Sequence, residues 1–164
     1  MIKLQKIIKD VRWFLNAQVD LGKMESENYK WYCEENLLNP KHRPSRQKYV
    51  EELMGEFTET LRHISADFNN EYSDIIDEVE DYDDEWEYLE YIAKNLSHRL
   101  ANPFNDTWTY MWEPIVDAMR EIGLSDTGVL KDVDASVGEK LVLAFYIQGN
   151  DGPLPWAYIH DCIA

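Results

Sequence analysis

The sequence predicts an all-α fold: one helical domain over residues 1–164, a bundle of about six to seven helices with a long acidic helix around 71–101. Three features lead there. Apolar residues recur at spacings of three and four almost from end to end. Stop signals such as Gly22, Asn39-Pro40 and Gly149 close several of these runs. The hydrophobic fraction is 45%, with six Trp and ten Tyr, enough for a packed core in a chain of 164 residues.

The elements follow in order. Leu4, Ile7, Ile8, Val11, Phe14, Leu15 and Gln18 trace one stripe of a first helix, which Gly22 stops. Ser26 is a cap for a second helix carrying Tyr29, Tyr32, Cys33 and Leu37, ending at Asn39-Pro40. A basic linker, 40-PKHRPSRQK-48, leads to Ser45 as the cap of a third helix through Val50, Leu53, Met54, Phe57, Leu61, Ile64 and Phe68. Asn69-Asn70 reads as a break or tight turn.

Beyond it, Tyr72, Ile75, Val79, Tyr82, Trp86, Leu89, Ala93, Leu96 and Leu100 alternate by three and four. This is a heptad seam that packs into the bundle, with intermolecular pairing as the alternative. Residues 102–123 carry Trp108, Met111, Trp112, Ile115, Met119 and Ile122, with a kink or division expected at Pro114. Residues 124–133 read as a loop, and Asp134 or Ser136 starts a helix through Leu141, Ala144, Phe145 and Gln148. The run KLVLAFYI is also short and apolar enough for a buried strand, which would make a hairpin with PWAYIH.

Charge is the most informative property. The formal net charge is −16, yet residues 1–50 hold ten bases and six acids, whereas residues 51–164 hold six bases and twenty-six acids. A uniform solubilising coat would not divide that way. The segment 74-DIIDEVEDYDDEWEYLE-90 holds ten acids and no base: Asp74, Asp77, Glu78, Glu80, Asp81, Asp83, Asp84, Glu85, Glu87 and Glu90. None of them falls on the heptad seam. Five like-charged pairs four residues apart cost a helix about 1–2.5 kcal/mol, and folding gains nothing obvious in return. The acids are either neutralised by Lys3, Lys6, Lys9, Arg12 and the basic linker, or kept for a basic partner.

The spacing suits the second alternative. Eleven acids between 71 and 90 amount to one charge per roughly 2.7 Å of helix. Duplex DNA carries one per about 1.7 Å and a single strand one per about 3.4 Å. In charge and helicity the chain resembles acidic helical DNA mimics of phages, such as antirestriction and anti-CRISPR inhibitors, and acidic immunity proteins that block nuclease toxins. That resemblance implies a partner that is a basic nucleic-acid-binding protein or nuclease complex. Nucleic acid itself and anionic membranes are not expected partners, because both repel this surface.

Chemistry is less visible. The chain lacks a phosphate loop, an HExxH pair and a GxSxG nucleophile motif, so no catalytic residue, metal site or cofactor is expected. One enzymatic alternative rests on Glu56-Phe-Thr-Glu59 and Glu78-Val-Glu-Asp81. This pattern resembles the ExxE and ExxD pairs of MazG-like all-α pyrophosphohydrolases, in which four carboxylates converge on Mg²⁺. Glu71-Tyr-Ser-Asp74 matches the second pair equally well. A helical oligomeric scaffold is the other alternative. Cys33 and Cys162 lack metal spacing and read as reduced thiols, and no run is apolar enough for a signal peptide or membrane span, so a cytoplasmic location is expected.

Overall fold

The computed structural model describes residues 1–24, 27–77 and 113–148. The described part is mostly helical, as the periodicity predicts. Its elements are strand β1 (Ile2–Lys3) and helices α1 (Leu4–Asp20), α2 (Glu27–Glu35), α3 (Arg43–Asp77) and α4 (Glu113–Glu121). A 3-10 turn (Thr127–Asp132), strand β2 (Val133–Asp134) and helix α5 (Val137–Gln148) follow.

The first helix forms as its sequence dictates. Leu4, Ile7, Val11 and Leu15 are buried on one face, while Ile8, Phe14 and Gln18 are half-buried beside them. Its end is a Schellman turn: Gly22 takes φ +69°, and the Lys23 amide donates back to the Gln18 carbonyl at 2.8 Å.

Helix α2 ends earlier than its apolar spacing suggests. Tyr29, Tyr32 and Cys33 are buried, but Leu37 is 94% exposed at φ +54°. The Leu38 amide closes the helix on the Cys33 carbonyl at 2.8 Å, and Leu38 takes the half-buried place against the core. Leu37 therefore occupies the left-handed position that glycine fills at the end of α1.

The third helix is longer than expected at both ends. It begins at Arg43, with Pro44 in its first turn, where a missing amide hydrogen costs little. Ser45 lies within that turn, its amide donating to the His42 carbonyl, so the linker shrinks to a turn in which Asn39 Oδ1 accepts from the Lys41 amide. Asn69 and Asn70 do not break it: α3 continues to Asp77. The expected separate acidic helix around 71–101 thus has its first seven residues, 71–77, in α3, and the remainder lies outside the described residues.

Helix α5 settles 137–148 as helix rather than strand. Residues Leu141 to Ile147 are all buried, so the helix is covered all round by α3, α4 and the 3-10 turn. Its start is a capping box: the Glu139 amide donates to Ser136 Oγ at 3.2 Å, and the Ser136 amide donates to Glu139 Oε1 at 3.0 Å. The supposed loop at 124–133 is mostly ordered as the 3-10 turn, which Asp126 caps by accepting from the Gly128 amide. The two-residue strands pair in parallel, Ile2 with Val133 and Lys3 with Asp134, and tie the chain's beginning to the approach of α5.

The core lies between α1, α3, α4 and α5. Phe57 of α3 meets Tyr146 of α5 edge-on at 5.1 Å, and Tyr146 shares a hydrogen bond with the buried Thr60. A second cluster joins α2 to α3 through the buried rings of Tyr29, Tyr32 and Tyr49, the last two stacked at 4.6 Å. In α4, Pro114 stands in the first described turn, while Ile115 and Met119 face the core and Ile122 is half-buried just beyond. Trp108, Met111, Trp112 and the chain beyond Gln148, including the expected hairpin partner, lie outside the described residues.

Candidate functional site

The unbroken course of α3 arranges its acids. At about 100° per residue, positions 52, 56, 59, 67, 74 and 77 fall within an arc of about 80° on the helix. Glu52, Glu56, Glu59, Asp67, Asp74 and Asp77 therefore share one register stripe, about 38 Å long. His63 and Asn70 occupy the two remaining positions of that stripe. The opposite side of α3 carries Val50, Met54, Phe57 and Leu61 and is buried. Sequence and packing thus separate one apolar and one acidic face on the same helix.

The described carboxylates of the stripe have defined surroundings. The half-buried Glu52 acts on Tyr32, whose pKa is raised first by burial and then by this carboxylate. The Glu56 pKa is raised, first by partial burial and then by the like charges of Glu59 and Glu52. Burial and the two like charges thus act in the same direction. Glu59 has His63 at 3.7 Å, an ion pair only when the imidazole is protonated, and Arg62 lies 3.2 Å from the same ring.

Four of the N-terminal cations are engaged elsewhere. Lys6 pairs with Asp10 and Lys30 with Glu27. Arg12 holds both oxygens of Glu51, at 2.7 and 2.8 Å, and Arg43 bonds Asp20. Glu51 lies off the stripe, a quarter-turn or so away. Three of the bases that might have neutralised the acidic run, Lys6, Arg12 and Arg43, thus pair with acids of residues 10–51.

Of the acids expected to bind a partner, Asp74 and Asp77 sit at the end of α3 on this stripe. Glu78, Glu80, Asp81, Asp83, Asp84, Glu85, Glu87 and Glu90 lie outside the described residues. Sequence reasoning missed Glu52, Glu56 and Glu59 as part of the same surface, because a break at Asn69-Asn70 would have separated them from it. The signal was present: 52, 56, 59, 63, 67, 70, 74 and 77 are spaced by three and four throughout.

The metal alternative gains one geometric restriction. Glu56 and Glu59 are one turn apart on α3, but Glu71 and Asp74 belong to the same helix, with Glu71 about 18 Å further along the axis than Glu59. These two pairs cannot meet at one ion. Glu78 and Asp81 lie outside the described residues, and no group of three or more His, Cys, Asp or Glu is placed to hold a metal among those described.

Among the described residues no helix is long and apolar enough to cross a membrane. No family model, curated protein or solved structure matches the chain.

Proposed function

We propose that this protein is an acidic inhibitor that occupies the nucleic-acid-binding groove of a basic protein or nuclease complex, of the anti-defence or nuclease-immunity type. The observation that carries this reading is the continuity of α3, which aligns the acids from Glu52 to Asp77 on one stripe and leads directly into the acidic run 78–90. Acids recurring along one register stripe of a packed helix space charge regularly, as a nucleic-acid strand does. The like charges of Glu59 and Glu52, which add to burial in raising the Glu56 pKa, are consistent with such a row. The local pairing of Arg12 and Arg43 supports it further, because those cations are taken up by Glu51 and Asp20.

The test begins with a pull-down at low salt to identify the partner. Binding of that partner is then measured for the native protein and for a variant with Asp77, Asp81, Asp84 and Glu87 replaced by Lys. The expected result is severe weakening with helicity intact by circular dichroism, and competition between the native protein and nucleic acid. A folded variant that binds as well as the native protein would overturn the reading.

A further inference from the structure

A cavity of about 350 Å³ lies between the end of α1, the turn that follows it and α4. This falls within the usual range for small-ligand sites, about 300–1,000 Å³. Leu15 and Met24, both buried, form its apolar floor. The Schellman turn at Gly22 places Lys23 on its wall, and α4 contributes Asp117, Arg120 and Glu121. Two cations and two carboxylates therefore surround one hollow, yet among the described residues no ion pair within 4 Å joins any of them. All four of these residues are also exposed to solvent.

Partial burial raises the Asp117 pKa above the ordinary aspartate range; Arg120 pulls it down, and Glu113 and Glu121 push it up. The net rise means that partial burial, with the two neighbouring carboxylates, outweighs the pull of Arg120. A ligand bringing an ammonium group would supply a further cation, and its own anionic group would then face Lys23 and Arg120.

We propose that this cavity binds a small zwitterion with an apolar side group, of the class of free α-amino acids. The ammonium group lies at Asp117 and Glu121, the carboxylate at Lys23 and Arg120, and the side group on Leu15 and Met24. Such a ligand satisfies all four charges at once, whereas a simple anion leaves both carboxylates uncompensated and a simple cation leaves the two bases so. The site is separate from the acidic stripe, and its occupation is independent of the function proposed for that surface.

The experiment is isothermal titration calorimetry of the full chain with L-leucine and L-phenylalanine, up to about 10 mM, with N-acetyl-leucine and leucinamide as probes lacking one charge each. Leucine or phenylalanine is expected to bind, with each blocked leucine weaker by at least about tenfold, or about 1.4 kcal/mol. Asp117→Asn is expected to weaken the native ligand and to abolish discrimination against N-acetyl-leucine. Because the blocked probes act on the native protein, the comparison does not depend on the variant's folding. Absence of binding by both amino acids, or equal binding of the blocked forms, would overturn the proposal.

Discussion

Asn69 joins two helices through one side chain: its Oδ1 accepts the Gly138 amide hydrogen at 2.9 Å, and its Nδ2 donates to Ser136 Oγ at 2.9 Å. It thereby satisfies an amide in the first turn of α5, which has no partner within its own helix. The close approach has a steric side. A Cβ built on Gly138 would stand 2.5 Å from the Ser65 carbonyl oxygen and 2.8 Å from Asn69 Oδ1. Helices α3 and α5 touch there because position 138 has no side chain.

The contact yields a prediction with a built-in control. Gly138→Ala should destabilise the protein by about 1–3 kcal/mol, as overpacking does, because backbone on one side has to move. Asn69→Ala should cost about 1–2 kcal/mol through loss of the cap. Gly55→Ala, in α3 with nothing within 4 Å of its added Cβ, should instead stabilise by about 0.5–1 kcal/mol. Urea denaturation of the three variants checks the signs, and a neutral Gly138→Ala would refute the steric account.

The end of α2 offers a second test. Leu37 holds φ +54° with its side chain 94% exposed, so it carries the strain of the left-handed conformation without compensating burial. Leu37→Gly should raise stability by about 0.5–1 kcal/mol, after allowance for the greater freedom of glycine in the unfolded chain. Leu38→Ala, which removes a half-buried contact with the core, should lower it by about 1–2 kcal/mol. If both changes proved destabilising, the strain at Leu37 would not be the controlling effect.

These positions show where local pattern suffices and where it fails. The α1 stripe was legible because one face is apolar and the other polar, and Gly22 marked its end by a conformation that other residues avoid. Leu37 continued the spacing of Cys33 by four, but the chain had already turned left-handed, which spacing does not reveal. Asn69-Asn70 resembled a turn because asparagine often bonds its own neighbours; here Asn69 instead bonds residues 67 and 69 positions away. The all-round burial of α5 erases the amphipathic signal that separates helix from strand. The parallel pairing of Ile2 with Val133 is two residues long and leaves no periodicity to read. For the candidate surface, the acidic run was evident from composition, while its continuation back to Glu52 depended on the helix not breaking.

Alkaline pH provides a third test. Burial, together with Cys33, raises the Tyr29 pKa from 10.0 to about 12, and burial also raises those of Tyr32 and Tyr146. A raised pKa means that the native state keeps a proton that the unfolded state releases. The contribution is therefore fully present below pH 10 and is lost as the pH rises to about 12. Stability by urea denaturation should fall across that interval, with tyrosinate absorbance and loss of helicity appearing together. Titration of all ten tyrosines near pH 10 with the helices intact would contradict the burial of this cluster.

The acidic stripe itself allows a graded test that separates its two ends. If the partner reads a continuous row of charge, Glu52, Glu56 and Glu59 contribute although they lie some 20 residues before the acidic run. Replacing these three by Lys should lower partner affinity by at least about tenfold, or about 1.4 kcal/mol, chiefly through slower association. A single neutralisation, Glu56→Gln, should change affinity only slightly, because charges in such a row act collectively. The same change should raise stability at neutral pH, since the fold already disfavours the charged form of Glu56. The sign follows from linkage: with its folded pKa raised, Glu56 binds protons more readily in the native state, so native stability falls as pH rises through that window. Glu56→Gln should flatten this dependence. Added salt should weaken native binding steeply, because exposed charges are screened over about 8 Å at physiological ionic strength. The triple variant should respond less steeply, having fewer favourable charges to screen. If it stays folded and binds as tightly as the native protein, the partner-binding row begins only after Glu59, and α3 serves to present the 74–90 segment rather than to extend it.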